Sequence, residues 1–128
     1  MATYFGEGTV ISLEGDGYNF IPLTEWIRTE GMEKVRAALE IRAAMSNISV
    51  RPAFMKANDK ESPTATIDTI ANTTALTADG ISYGSNWDPI TADLDGYSWV
   101  RFGVECDNTR GSGIHSCFAV LRVDVAKL

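Results

Sequence analysis

The side chains that most often do chemistry are scarce in this chain of 128 residues: one histidine, His115, and two cysteines, Cys106 and Cys117. A structural zinc site gathers about four thiol or imidazole donors, and nothing beside the cysteines completes such a set. A nucleophile needs a base, and the base needs a group to orient it. His115 sits beside Cys117, but no third residue stands ready for that role. Long apolar runs are missing too, and none approaches the ~18 residues that cross a bilayer. Basic clusters are absent. Seventeen acidic residues face 11 basic ones for a net charge of −6, and Asp68 to Trp99 holds five Asp with no Lys or Arg. Phosphate backbones and anionic lipids attract the opposite sign, which excludes nucleic acid and membrane surfaces as partners.

The length fits a single domain spanning 1–128, large enough to bury roughly two-thirds of its unfolded surface without a metal or disulfide staple. The first residues, Met1-Ala2-Thr3-Tyr4-Phe5-Gly6-Glu7-Gly8, lack the basic start and apolar stretch of a secretory signal. Synthesis is therefore expected in a cytosol, where thiols stay reduced. The early glycines make residues 1–8 either turn-rich or an extended arm.

What the chain does have is a two-residue rhythm. Val35, Ala37, Leu39, Ile41, Ala43 and Met45 alternate with Lys34, Arg36, Glu40 and Arg42. The composition favours helix, yet on a helical wheel Arg42 falls between Met45 and Val35 and no apolar stripe forms. On a strand the charges point one way and the large apolar groups the other, which predicts a strand over 34–45. Ser46-Asn47 reads as a turn and 48–56 as a returning strand. Thr9–Leu13, Asn19–Leu23 (an edge, because Pro22 cannot donate to a ladder), Ala65–Ile67, Gly80–Gly84 and Trp87–Ile90 read as short extended pieces. A short helix is expected around Thr24 to Gly31. Two alternating runs, Tyr97 to Cys106 and Cys117 to Val125, flank Asp107-Asn108-Thr109-Arg110-Gly111-Ser112-Gly113 and predict a closing β-hairpin. A turn centred between Gly111 and Ser112 sets Cys106 opposite Cys117, within possible bonding range. The fold class that follows is all-β: an antiparallel β-sandwich, jelly-roll-like, with at most one short helix.

Several constellations bear on chemistry. Asp93-Leu94-Asp95-Gly96 matches the opening of a calcium loop, but Val104 occupies the closing position that needs a glutamate, and Asp-Gly is also a common turn. Asp88 with Asp93 or Asp95 is an acid pair only in the sense that so many acids guarantee one. Asn47-Ile48-Ser49 and Asn72-Thr73-Thr74 carry the glycosylation pattern without a secretory context. No cofactor, metal or catalytic set emerges, and the chain reads as a non-enzyme. The aromatic residues say more. Tyr83 and Trp87 lie around a Gly-Ser-Asn loop and Tyr97 precedes a strand. These three are the candidate residues for contacting a protein partner or stacking on a glycan.

The segments Trp99-Val100-Arg101-Phe102-Gly103-Val104-Glu105 and Ala119-Val120-Leu121-Arg122-Val123-Asp124, with Asn108-Thr109 and a Gly-Ser turn between them, resemble small β-sandwich virion proteins of tailed bacteriophages. Val35 to Met45 and Asp79 to Gly84 fit the same pattern, so the resemblance covers about two-thirds of the chain. It implies a structural part of the virion made in the host cytoplasm, most simply a capsid decoration protein present in many copies. The major capsid protein or other virion proteins would be its partners, and copies of itself its neighbours. A neck, tail or fibre component and a carbohydrate-binding module are the alternatives. No functional residue carries over, because no functional motif is shared.

Overall fold

The computed structural model describes residues 1–12, 17–45, 48–61, 66–107 and 114–127. Among the described residues ten strands and one helical turn follow one another: β1 (Ala2–Ser12), β2 (Tyr18–Pro22), β3 (Ile27–Arg28), β4 (Met32–Met45), β5 (Val50–Ala57), β6 (Thr66–Thr69), β7 (Gly80–Tyr83), β8 (Asp88–Pro89), α1 (Thr91–Leu94), β9 (Trp99–Asp107) and β10 (His115–Lys127). All pairings between them are antiparallel. One sheet has the order β1-β10-β4-β7, with β8 also on β4; the other has β2-β9-β5-β6, with β3 also on β9.

The alternation predicted over 34–45 is what builds this. Val35, Leu39 and Ile41 of β4 point inward beside Leu121, Val123 and Val125 of β10. Val50 and Phe54 of β5 meet Val100, Phe102, Val104 and Cys106 of β9 on the inner face of the other sheet. Phe102 joins the two layers, packing edge-on against Phe54 at 6.4 Å between centroids and tilted against Tyr4 of β1 at 6.0 Å. Arranged this way the pairs nest. β5 pairs β6, β4 pairs β7, β2 pairs β9 and β1 pairs β10. The chain is thus one long hairpin, bent between β5 and β6, whose doubled arms roll up until β10 also meets β4 and β9 meets β5. That is the double Greek key of a jelly roll.

Three expectations need correction. The closing hairpin is not one: β9 and β10 lie in different sheets, and their partners are β2, β3 and β5 for one and β1 and β4 for the other. An alternating run, a turn and a second run are written alike whether the chain folds back beside itself or crosses to the opposite sheet. Both strands here are central ones whose inner rows need a facing sheet. Cys106 and Cys117 accordingly oppose Val50 and Val10, not each other, and both are free thiols. The turn residues 111 and 112, like 46, 47 and Ala65, lie outside the described residues.

The helix expected around Thr24 to Gly31 is replaced by β3, which pairs Ile27 with Val100 and Arg28 with Trp99. Strand β9 runs past the end of β2, and β3 covers the ladder left over. A tight turn follows, with the Met32 amide donating to the Thr29 carbonyl at 3.0 Å and Gly31 at φ 78°. The single helical turn lies instead at Thr91–Leu94, where buried Ile90 and Leu94 close one end of the core. The N-terminal segment is neither turn-rich nor an arm: residues 2–12 pair along their whole length with β10. Gly6 serves close approach. A β-carbon on Gly6 would sit 2.3 Å from the Leu23 carbonyl oxygen, so only glycine lets the chain after β2 close the gap between the two sheets. Pro22 does end an edge strand, as its missing donor requires.

One irregularity stands out in β4. Its partner register on β10 jumps from Arg42↔Phe118 to Met45↔Ser116, so Ala43 and Ala44 together face Cys117. This is a β-bulge, and it places Ala43 at φ 53°, in the left-handed region where a β-carbon is strained. The Ala44 amide, turned out of the ladder, donates to Asp79 Oδ1 at 2.8 Å. Replacing Ala43 with glycine removes the strain while adding backbone freedom to the unfolded chain. The strain relief is the larger effect, and Ala43→Gly is expected to raise unfolding free energy by about 0.5–1 kcal/mol in urea titration. A loss of stability would contradict the bulge.

Candidate interaction surface

The three aromatic residues singled out from the sequence do not share one platform. Tyr83 ends β7 opposite Ala38 and is 69% exposed. Trp87 lies at the same margin of the sheet, but its ring is covered: the Arg36 guanidinium sits 4.4 Å from its centroid and the Lys34 ammonium 5.5 Å. Tyr97 belongs to the end of the core near α1, with the Lys56 ammonium 4.9 Å from its ring. Lys56 itself is almost fully buried. It donates to the Asp93 carbonyl at 2.7 Å and lies 2.6 Å from Asp68 Oδ2, tying β5, β6 and the helical turn together. Asp93 is thus engaged through its backbone, and Asp88 Oδ2 accepts from the Ala71 amide at 2.9 Å. Among the described residues no three histidine, cysteine, aspartate or glutamate side chains converge as metal ligands do.

His115 and Cys117 both point inward from β10. His115 is 1% exposed, and neither of its ring nitrogens has a hydrogen-bond partner. Burial pushes the thiol of Cys106 up to about 12, with Cys117 and Glu105 adding to it, and that of Cys117 up to about 11. Thiols held that high are protonated at neutral pH and poor nucleophiles. These three residues behave as core, not as a catalytic pair.

The outward row of the β1-β10-β4-β7 sheet is different in kind. Pairing sets Phe5, Arg122, Ala38 and Tyr83 in one line across it, and Glu7, Val120, Glu40 and Ile81 in the next. Phe5 is 68% exposed and Ile81 51%. Between them lie a trough of about 190 Å³ bordered by Ala38, Ile81, Tyr83 and Val120, and a second hollow of about 350 Å³ bordered by Phe5, Leu23 and Val120. Phe5 also borders a third hollow of about 470 Å³ between β1 and the chain after β2, where Arg101 and Glu25 are the charged members. The sequence hid this surface because Phe5 lies far along it from Ile81 and Tyr83, and only the nested pairing brings β1 and β7 into one sheet.

Most charges on this face are spent on one another. Asp124 is buried between Arg36 Nε at 3.1 Å, Thr3 Oγ1 at 3.0 Å and Arg122 at 3.2 Å. Arg42 donates to Glu40 at 2.8 Å. The outer face of the second sheet uses cations differently, laying them over its aromatics: Arg28 and Lys60 over Trp99, Arg51 over Tyr18, and Arg101 over Trp26. No such cation covers Phe5 or Tyr83 among the described residues.

The strand order defines the class of protein: a jelly-roll β-sandwich, an architecture used by viral capsid and lectin domains. No protein-family model matches the chain, and no curated protein is significantly similar to it. Solved structures are. The chain is similar to that of the Gt strain of infectious bursal disease virus, with a TM-score of 0.58 and 13% identity over 95% of this chain and 32% of that one. The Gx strain gives 0.54 and 12% over 98% of this chain and 32% of that one. The VP2 subviral particle of the same virus gives 0.54 and 12%, with the same two coverages of 98% and 32%. These neighbours are viral capsid proteins, and at such identity the likeness is one of fold. The chain spans about a third of their length.

Asp124 supplies a pH test of this face. Burial alone would raise its pKa, but the hydrogen bonds from Arg36 and Thr3 and the charges of Arg122 and Arg36 outweigh that, and the net shift is downward. A carboxyl held lower in the folded than in the unfolded state adds stability that is complete above the usual aspartate range and is lost as pH falls through the folded value. Asp124→Asn should therefore cost about 1–3 kcal/mol near pH 7. Below roughly pH 4 the gap from the parent should narrow, as urea titrations at the two conditions will read. A gap independent of pH would contradict the assignment.

Proposed function

We propose that this protein is a structural component of a virion, a jelly-roll unit that works in many copies through its outer surfaces. The observation that carries the reading is the nested strand order, together with the likeness of that fold to capsid chains that are three times longer. The finer form of the proposal is a decoration protein on the head of a tailed bacteriophage, bound to the major capsid protein. The resemblance of the β4, β9 and β10 segments to small phage virion proteins supports that form. A chain with net charge −6 suits a particle filled with nucleic acid only from the outside of the shell. The core placement of His115, Cys106 and Cys117 favours a structural part over an enzyme. The glycan-binding alternative asks for a stacking platform, and two of its three aromatic faces already carry a cation.

Many weak contacts repeated over a shell give high avidity from modest single affinities. Purified protein mixed with undecorated heads of tailed phages should bind saturably, at a fixed ratio of copies to capsid subunits, as seen by cosedimentation and electron microscopy. Absence of saturable binding to such heads would overturn the decoration reading.

A further inference from the structure

We propose that the outer face of the β1-β10-β4-β7 sheet binds a second copy of this chain, face against face. The inference rests on the reading of the protein as a multi-copy virion component, and it names the surface those copies share. Phe5 and Tyr83 stand as two ridges at opposite margins of the sheet, separated by β10 and β4 and hence by roughly 14 Å. The low residues Ala38 and Val120 lie between them and floor the trough. Sheets pack face to face at ~10 Å by interdigitating side chains. A ridge of one copy therefore fills the trough of the other, and a two-fold axis makes the exchange reciprocal.

Charge selects a second copy as the occupant. Two chains of net charge −6 repel wherever their acidic surfaces meet. On this face Lys34, Arg36, Arg42 and Arg122 offset Glu7, Glu40 and Asp124, so it is close to neutral. Five of these seven are also joined in ion pairs, Arg36 and Arg122 with Asp124, and Arg42 with Glu40. Covering the face strands none of those paired charges. The area fits as well. Four strands at ~4.8 Å, the first of them 11 residues long, present roughly 700 Å². A standard interface takes ~800 Å² from each partner. The outer face of the other sheet offers no equivalent, since its tryptophans and Tyr18 lie under cations.

Sedimentation equilibrium of the full chain from about 1 μM to about 1 mM tests this. A concentration-dependent dimer is expected. Tyr83→Glu and, separately, Phe5→Glu should weaken it at least tenfold. Both residues are more than two-thirds exposed, so the fold is retained, as circular dichroism will verify. Ile67→Glu, on the other sheet, should leave the dimer unchanged. A monomer at all concentrations overturns the proposal, and so does a dimer that Ile67→Glu disrupts and Tyr83→Glu spares. A monomeric protein that still decorates phage heads removes this contact and leaves the functional reading standing. A dimer that decorates nothing does the reverse.

Discussion

Everything in this structure depends on one constraint: four central strands, β4, β5, β9 and β10, each carry an apolar row on one side that must be dry. A sheet hides such a row only by facing another sheet. With β4 and β10 adjacent in one layer and β5 and β9 adjacent in the other, the four rows close on each other around Phe54 and Phe102. The outer strands then have their places assigned. β2 and β6 become the margins of one sheet and β1 and β7 those of the other, and the nested pairing is the result.

The same constraint explains which parts were legible in advance. The rhythm of Val35 to Met45 identifies a strand despite a composition that favours helix, because no helical face can gather those apolar groups without Arg42 and Lys34. Pro22 marks an edge by its missing donor. Partnership is another matter. Local pattern states that residues 99–107 and 115–127 are strands and that a sharp connection joins them, but a fold-back and a crossing between sheets use the same residues. Which of the two occurs is decided by β2 and β1, far away in the chain. The segment 24–31 misleads for a similar reason: its pairing with Val100 and Trp99 is a demand of β9, not of its own sequence. Gly6 looks like looseness and proves to be clearance for Leu23.

The surface follows the same division. Exposed aromatics can be nominated from a sequence, yet whether their faces are free depends on which cations the fold brings over them. Trp87 and Tyr97 are capped in this way, and among the described residues no cation caps Tyr83. Phe5, counted with the N-terminal arm when read alone, becomes the opposite wall of a trough once β1 joins β10. The molecule ends with two unlike outer faces, one with its aromatics under cations and one with most of its charges paired and Phe5, Ile81 and Tyr83 exposed. That contrast, on a fold shared with capsid chains, is what gives the structural reading its physical content.

Cross-strand contacts between backbone protons, measured by nuclear Overhauser effects, test the central claim most directly. The account predicts α-proton and amide contacts that tie β10 to β1 and β4, and β9 to β2 and β5, with Leu121 close to both Gly6 and Leu39. A ladder of contacts joining β9 directly to β10, with Cys106 opposite Cys117, would contradict it.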